Sequence, residues 1–144
     1  MRSWFGFALF WNGCCFCWRS KLQTCVALST RDSESIGTTF AVKDILGFLI
    51  LLNECGFRPL LPVPAFVDNE ATVASSRSEK VSRESRFMGM RLYWLREIVR
   101  AHLIDPRHIA TDKNCADVFT KLLPGPAHHV HRAFLMGHIT WPYG

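Results

Sequence analysis

Three carboxylates, Glu34, Asp68 and Asp117, stand where a carboxylate can do chemistry. Glu34 closes the polar run Ser29-Thr-Arg-Asp-Ser-Glu34, with Asp32 beside it, just ahead of a long apolar stretch. Asp68 and Asn69 end the short apolar run Ala65-Phe-Val67, and Asp117 follows Cys115-Ala116. Carboxylates drawn together from distant parts of a chain can hold two Mg²⁺ ions. Such ions activate water and stabilise the leaving oxygen of an in-line attack on a phosphodiester. Each residue also has a plainer reading. Glu34 is a helix N-terminal acid favoured by the macrodipole, Asp68-Asn69 is a turn pair, and Asp117 is a solvated helix residue.

The elements that must position these residues follow from local pattern. Trp4 to Phe10 is a β-rich run that stops at Asn12-Gly13, a hairpin turn signal, and Cys14 to Arg19 is the returning strand. Ser29, Thr30, Asp32 and Ser33 offer N-cap chemistry for a helix running to about Glu54, apolar on most sides and ended by Cys55-Gly56. The Pro-rich segment 58–64 leads into a strand at Ala65–Val67 and a short helix over Asn69–Ser76. Residues 77–86 are polar with mixed charge and read as a loop, in which Arg77, Lys80, Arg83 and Arg86 are diluted by Glu79 and Glu84. Met88 to Leu103 is an amphipathic helix, with Met88 and Met90 as core filler. Arg107 to Ala110 is a last strand, and Thr111 and Asp112 cap a helix through Cys115, Val118 and Leu122. With this order the fold class is α/β, a mixed sheet with packed helices.

Composition bounds the rest. A chain of 144 residues that is 49% apolar can bury a core and reads as one domain. The net charge of +5 suits nucleic acid or an acidic partner without requiring either. Six cysteines, three of them bunched at Cys14, Cys15 and Cys17, show no facing cluster and read as small apolar residues rather than bridges or zinc ligands. His128 and His131 have helical spacing, but no carboxylate or cysteine is placed to complete a metal site with them. The run Ile45–Leu52 is too short to span a bilayer, so no transmembrane anchor is expected. Residues 1–17 support two readings, a first strand or a signal peptide, since Arg2 precedes an aromatic-rich apolar centre.

At the carboxylates the sequence resembles the C-terminal ribonuclease H domain of copia-type LTR retrotransposon polyproteins. That family's Ser-x-x-Lys-Gln-x-x-Val-Ala-Leu-Ser-Ser-Thr-Glu-Ala-Glu-Tyr corresponds to Ser20-Lys-Leu-Gln-Thr-Cys-Val-Ala-Leu-Ser-Thr-Arg-Asp-Ser-Glu-Ser35. Its Cys-Asp-Asn-Gln-Ser-Ala corresponds to Val67-Asp-Asn-Glu-Ala-Thr72, and its Ala-Asp-Ile-Phe-Thr-Lys-Pro-Leu to Ala116-Asp-Val-Phe-Thr-Lys-Leu-Leu123. Its Arg-Tyr-His-Phe-Ile-Arg-Glu corresponds to Arg91-Leu-Tyr-Trp-Leu-Arg-Glu97, and its Gly-Tyr-Val-Phe-Phe-Leu-Asn-Gly hairpin to Gly6 through Gly13, followed by Trp18. The likeness runs along nearly the whole chain, in order.

The resemblance implies an incomplete ribonuclease H-like mixed sheet over residues 18–123. Residues 1–17 are then its first strand or a signal peptide, and 124–144 a C-terminal tail. It implies that Glu34, Asp68 and Asp117 are three of four Mg²⁺-binding carboxylates of an RNA–DNA hybrid endonuclease. The fourth is expected on a strand before the hairpin, and no acidic residue precedes Asp32. The family's Thr-Lys-His-Ile-Asp stands as Ser85-Arg-Phe-Met-Gly89, without His or Asp. The expectation is therefore a degenerate, non-catalytic remnant that needs no cofactor, its Mg²⁺ being ancestral. Two alternatives stay open. One is a secreted, effector-type protein that binds a host protein after signal removal. No intact Arg-x-Leu-Arg motif supports it, Trp94-Leu-Arg-Glu97 being a partial echo. The other is weak nonspecific binding to nucleic acid, falling steeply with salt. Localisation is secreted if residues 1–17 are a signal peptide, and cytoplasmic or nuclear otherwise.

Overall fold

The computed structural model describes residues 4–23, 30–78 and 83–140, with the side chains of 30–34 and 83–89 outside the described set. It shows an α/β protein. Its residues fall into two compact units, 28–109 and a second made of 1–27 with 110–144.

The unit 28–109 starts with α1, Thr30–Glu54. Its end is set by Gly56, whose φ of 82° lets Phe57 N–H reach Leu52 O and Gly56 N–H reach Asn53 O, 2.9 and 3.0 Å. A Pro-rich loop leads to β3, Val63–Val67, which runs parallel to β4, Ile104–His108, from the pair Val63–Ile104 to the pair Val67–His108. Parallel strands need a crossover, here supplied by α2, Glu70–Arg77, and α3, Arg83–Arg100. Val42 of α1, Leu95 of α3 and Ile104 of β4 form the buried centre, ringed by Ile45, Leu46, Val63, Ala65, Trp94 and Ile98.

Two differences from the sequence pattern matter in this unit. The helix α3 begins at Arg83, inside the stretch read as loop, and Met90, expected in the core, is exposed. The mixed charges of 83–86 are as compatible in sequence with a first helical turn as with a loop. Second, α1 is not buried on most sides, because Ile50 and Leu51 are more than half exposed. Its stretch Ser35–Glu54 is long and apolar enough, by length and composition, to cross a membrane, a property that core helices share.

The second unit is built on a hairpin. β1, Trp4–Trp11, pairs antiparallel with β2, Cys14–Leu22. Positive φ at both Asn12 (51°) and Gly13 (78°) makes the type I′ connection that matches strand twist. Alternation buries Phe5, Phe7 and Leu9 on one face. Gly6 and Ser20, a cross-strand pair on the other face, receive the segment 115–120. Ser20 Oγ donates to Phe119 O at 2.6 Å, and a Cβ on Gly6 would lie 2.6 Å from that of Phe119. Phe10 packs on Phe134, ring centroids 5.1 Å apart. Phe134 belongs to α4, Gly125–Leu135, which occupies the region read as a tail. Pro126 in its first turn is compatible with helix initiation.

One α-helix expected here is instead two short 3-10 turns, Thr111–Lys113 and Cys115–Phe119. Asn114 separates them: its side chain accepts from Ala116 N–H at 3.2 Å and so restarts the helix.

Candidate functional site

Glu34 lies in the first turns of α1, and its side chain is outside the described residues. Asp68 lies directly after β3 and is half-buried. The following residue, Asn69, caps α2 by accepting from Thr72 N–H at 3.0 Å. The junction from strand to helix therefore holds Asp68 by its backbone on both sides, Val67 through the ladder and Asn69 through the cap. Asp68 thus stands at the C-terminal end of a strand, as the sequence pattern predicts.

Asp117 belongs to the other unit and is 5% exposed, not solvated. Both of its carboxylate oxygens have partners. Asn114 Nδ2 donates to Oδ1 at 3.1 Å and Lys121 Nζ to Oδ2 at 2.9 Å. Its main-chain carbonyl receives Thr120 N–H and Lys121 N–H as well. The ammonium of Lys121 supplies the counter-charge that burial of a carboxylate demands. The family pattern Ala-Asp-Ile-Phe-Thr-Lys carries the same lysine, so the pair does not by itself decide for or against a divalent ion, and no step through Mg²⁺ is derived from it. Among the described residues no group of three or more His, Cys, Asp and Glu side chains is placed to hold a metal.

Sequence reasoning named Asp117 and missed its two partners. Both stand at helical offsets, three residues before and four after, a spacing at which side chains meet. Cys115, two residues earlier, is buried, and burial pushes its thiol up to about 12, with the nearby Cys15 adding to the rise. Of the described cysteines, Cys14 and Cys55 are exposed, Cys15 and Cys17 partly buried, and all are free thiols. The small-apolar reading therefore holds for Cys115 and fails for Cys14 and Cys55. The histidines of α4 divide: His128 and His129 are exposed and His131 is buried, so the helical spacing of His128 and His131 does not place both on the surface. In the basic stretch 77–86, Arg77 folds back onto Asp105 and Pro106 O, both 2.6 Å. Lys80 and the side chains of Arg83 and Arg86 are outside the described residues.

The elements and the carboxylates at their ends define an α/β protein with acidic residues at a strand terminus and in a buried 3-10 turn. No family model and no solved structure matches the chain. Over 119 residues, 83% of its length, it is 30% identical to the retrovirus-related Pol polyprotein from transposon TNT 1-94 of Nicotiana tabacum. The chain spans 9% of that polyprotein's length. Over the matched stretch the chain is related to a region of a retrotransposon Pol polyprotein.

Proposed function

We propose that the chain is a ribonuclease H-like remnant of a copia-type Pol polyprotein that does not cleave nucleic acid. Glu34, Asp68 and Asp117 are its vestigial metal carboxylates. The observation that carries the reading is the stretch Ser85-Arg-Phe-Met-Gly89, which lacks the His and Asp of the family pattern. Asp117 is buried with Asn114 on one oxygen and the Lys121 ammonium on the other, but that lysine stands in the family pattern too and so does not separate a remnant from an active domain.

The test is cleavage of a labelled RNA–DNA hybrid by the purified chain in Mg²⁺ or Mn²⁺. The expected result is no cleavage above the level of an Asp68→Asn variant. Metal-dependent cleavage that this substitution abolishes would overturn the proposal.

A further inference from the structure

We propose that the protein forms a two-fold symmetric dimer in which the second half of α1 packs antiparallel on α1 of a second copy. Lys43, Gly47, Ile50, Leu51 and Glu54 recur at helical spacing and fall within one face about 100° wide. All five are exposed, Ile50 by 62% and Leu51 by 52%. Gly47 is the sharper sign. Glycine inside a helix is less stable than alanine. Nothing in the fold asks for it here, since a Cβ at Gly47 would meet no other atom within 4 Å. The missing side chain leaves a notch beside two apolar knobs, which lets a second helix approach closely.

Charge and register select the occupant. The stripe carries a cation at one end, Lys43, and an anion at the other, Glu54, about 16 Å along the helix. About a two-fold axis between Phe48 and Leu49, Lys43 of each copy faces Glu54 of the other, and Ile50 of each faces the notch at Gly47. One register therefore satisfies both charge and shape. A parallel pair would set like charges against each other. Lys43 Nζ also lies 6.0 Å from the ring centroids of Phe40 and Trp94, the outer reach of a cation–π contact. An ion pair across the dimer adds to that contact and does not replace it. A lipid surface fits worse, because anionic headgroups repel Glu54. The stripe holds none of Glu34, Asp68 and Asp117, so the dimer stands whether or not the chain is a hydrolase.

The stripe is short, so the interface is small and Kd is expected on the order of 10–100 µM. Sedimentation velocity of the full chain from about 5 to 500 µM, in about 50 mM NaCl where charge pairs are least screened, tests it. Gly47→Trp fills the notch and is expected to leave a monomer throughout. Lys43→Glu and Glu54→Lys are each expected to weaken association about tenfold, since symmetry repeats the repulsion twice. An equimolar mixture of those two variants is expected to regain the parent's affinity, because the mixed pair restores both contacts. Thermal melts at low concentration confirm that each variant folds; should Gly47→Trp fail, the exposed charge variants carry the test. Four outcomes overturn the proposal. These are a monomer at the highest concentration, a dimer that Gly47→Trp leaves intact, a mixture that associates no better than its components, and binding to phosphatidylserine vesicles without self-association.

Discussion

Replacing Gly6 by alanine should destabilise the hairpin unit more than any other single methyl group added to a described glycine. The new Cβ would lie 2.6 Å from Phe119 Cβ, 3.0 Å from Thr120 Cγ2 and 3.1 Å from Arg19 O. Carbon atoms rest about 3.5–4.0 Å apart, so one of the partners must move by about 1 Å. Neither is free to do so. Gly6 is held in the β1–β2 ladder opposite Ser20. Phe119 is tied by its carbonyl to Ser20 Oγ at 2.6 Å, on that same rung. The contact is between Cβ atoms next to the backbone, not with the end of a flexible side chain, so rotamer change gives no relief. Overpacking of this kind costs about 1–3 kcal/mol, and the rigidity on both sides places Gly6→Ala near the upper figure. With a urea dependence of about 1–3 kcal/mol per molar, the midpoint should fall by roughly 1–2 M.

Gly47→Ala is the control of opposite sign. Nothing lies within 4 Å of a Cβ at Gly47, which is exposed in the middle of α1. Alanine there should stabilise by about 0.5–1 kcal/mol through helix propensity alone. Urea titration followed by circular dichroism measures both variants, and amide exchange shows whether the Gly6 loss is centred on residues 4–22 and 115–120. If Gly6→Ala matches the parent within about 0.5 kcal/mol, the ordinary range for a surface change, then the segment 115–120 does not seat on the hairpin as described.

Removing the ammonium with Lys121→Met should cost about 1–2 kcal/mol. Asp117 is then left buried without its counter-charge, and the estimate is reduced because Lys121 is half exposed; a thermal melt reads it. His102 adopts a φ of 54° just past the end of α3, where Leu103 N–H bonds to Ile98 O in a glycine-type cap; His102→Gly should therefore raise stability by about 1 kcal/mol in urea titration. Asn69→Ala should cost about 1 kcal/mol by removing the α2 cap, and amide exchange at Thr72 should rise. Cys115 keeps its proton in the folded state to about 12, whereas an unfolded thiol loses it near 9.0. Its contribution is thus complete below pH 9.0 and is lost as pH rises toward 12, so Cys115→Ala should flatten the alkaline limb of the pH–stability curve.

Local signals read well where a few residues decide the backbone. Asn12-Gly13 specified the hairpin connection because both positions need positive φ. Of the N-cap candidates Ser29, Thr30, Asp32 and Ser33, Thr30 is the first described residue of α1, Asp32 and Ser33 lie inside it and Ser29 is outside the described residues; Cys55-Gly56 marked its end, because a glycine there completes the cap. Reading failed where a side chain redirected the chain or where burial set the outcome. Asn114 accepts from Ala116 N–H and breaks one expected helix into two 3-10 turns. Residues 124–144 read as a tail, yet proline in a first turn loses no hydrogen bond, and α4 starts at Gly125.

The same division runs through the candidate site. Asp68 is at the end of β3 because Phe66 and Val67 pair with Arg107 and His108, and a short apolar run closed by Asp-Asn makes such an end visible in a sequence. The surroundings of Asp117 are another matter. A motif records which residue types stand at which spacing. What a carboxylate does depends on how far it is from water and on which charge shares its burial. The motif Ala116-Asp-Val-Phe-Thr-Lys121 that points to a metal carboxylate also carries the lysine that neutralises it. Spacing alone makes the two compatible with either use. Asp117 is buried while Lys121 is half exposed, so the ammonium can swing into water and the burial of the carboxylate alone does not decide between the two uses. On the proposed reading, Lys121→Met alone would not confer metal-dependent cleavage. Cleavage would need oxygen ligands brought to a carboxylate whose other oxygen is already held by Asn114.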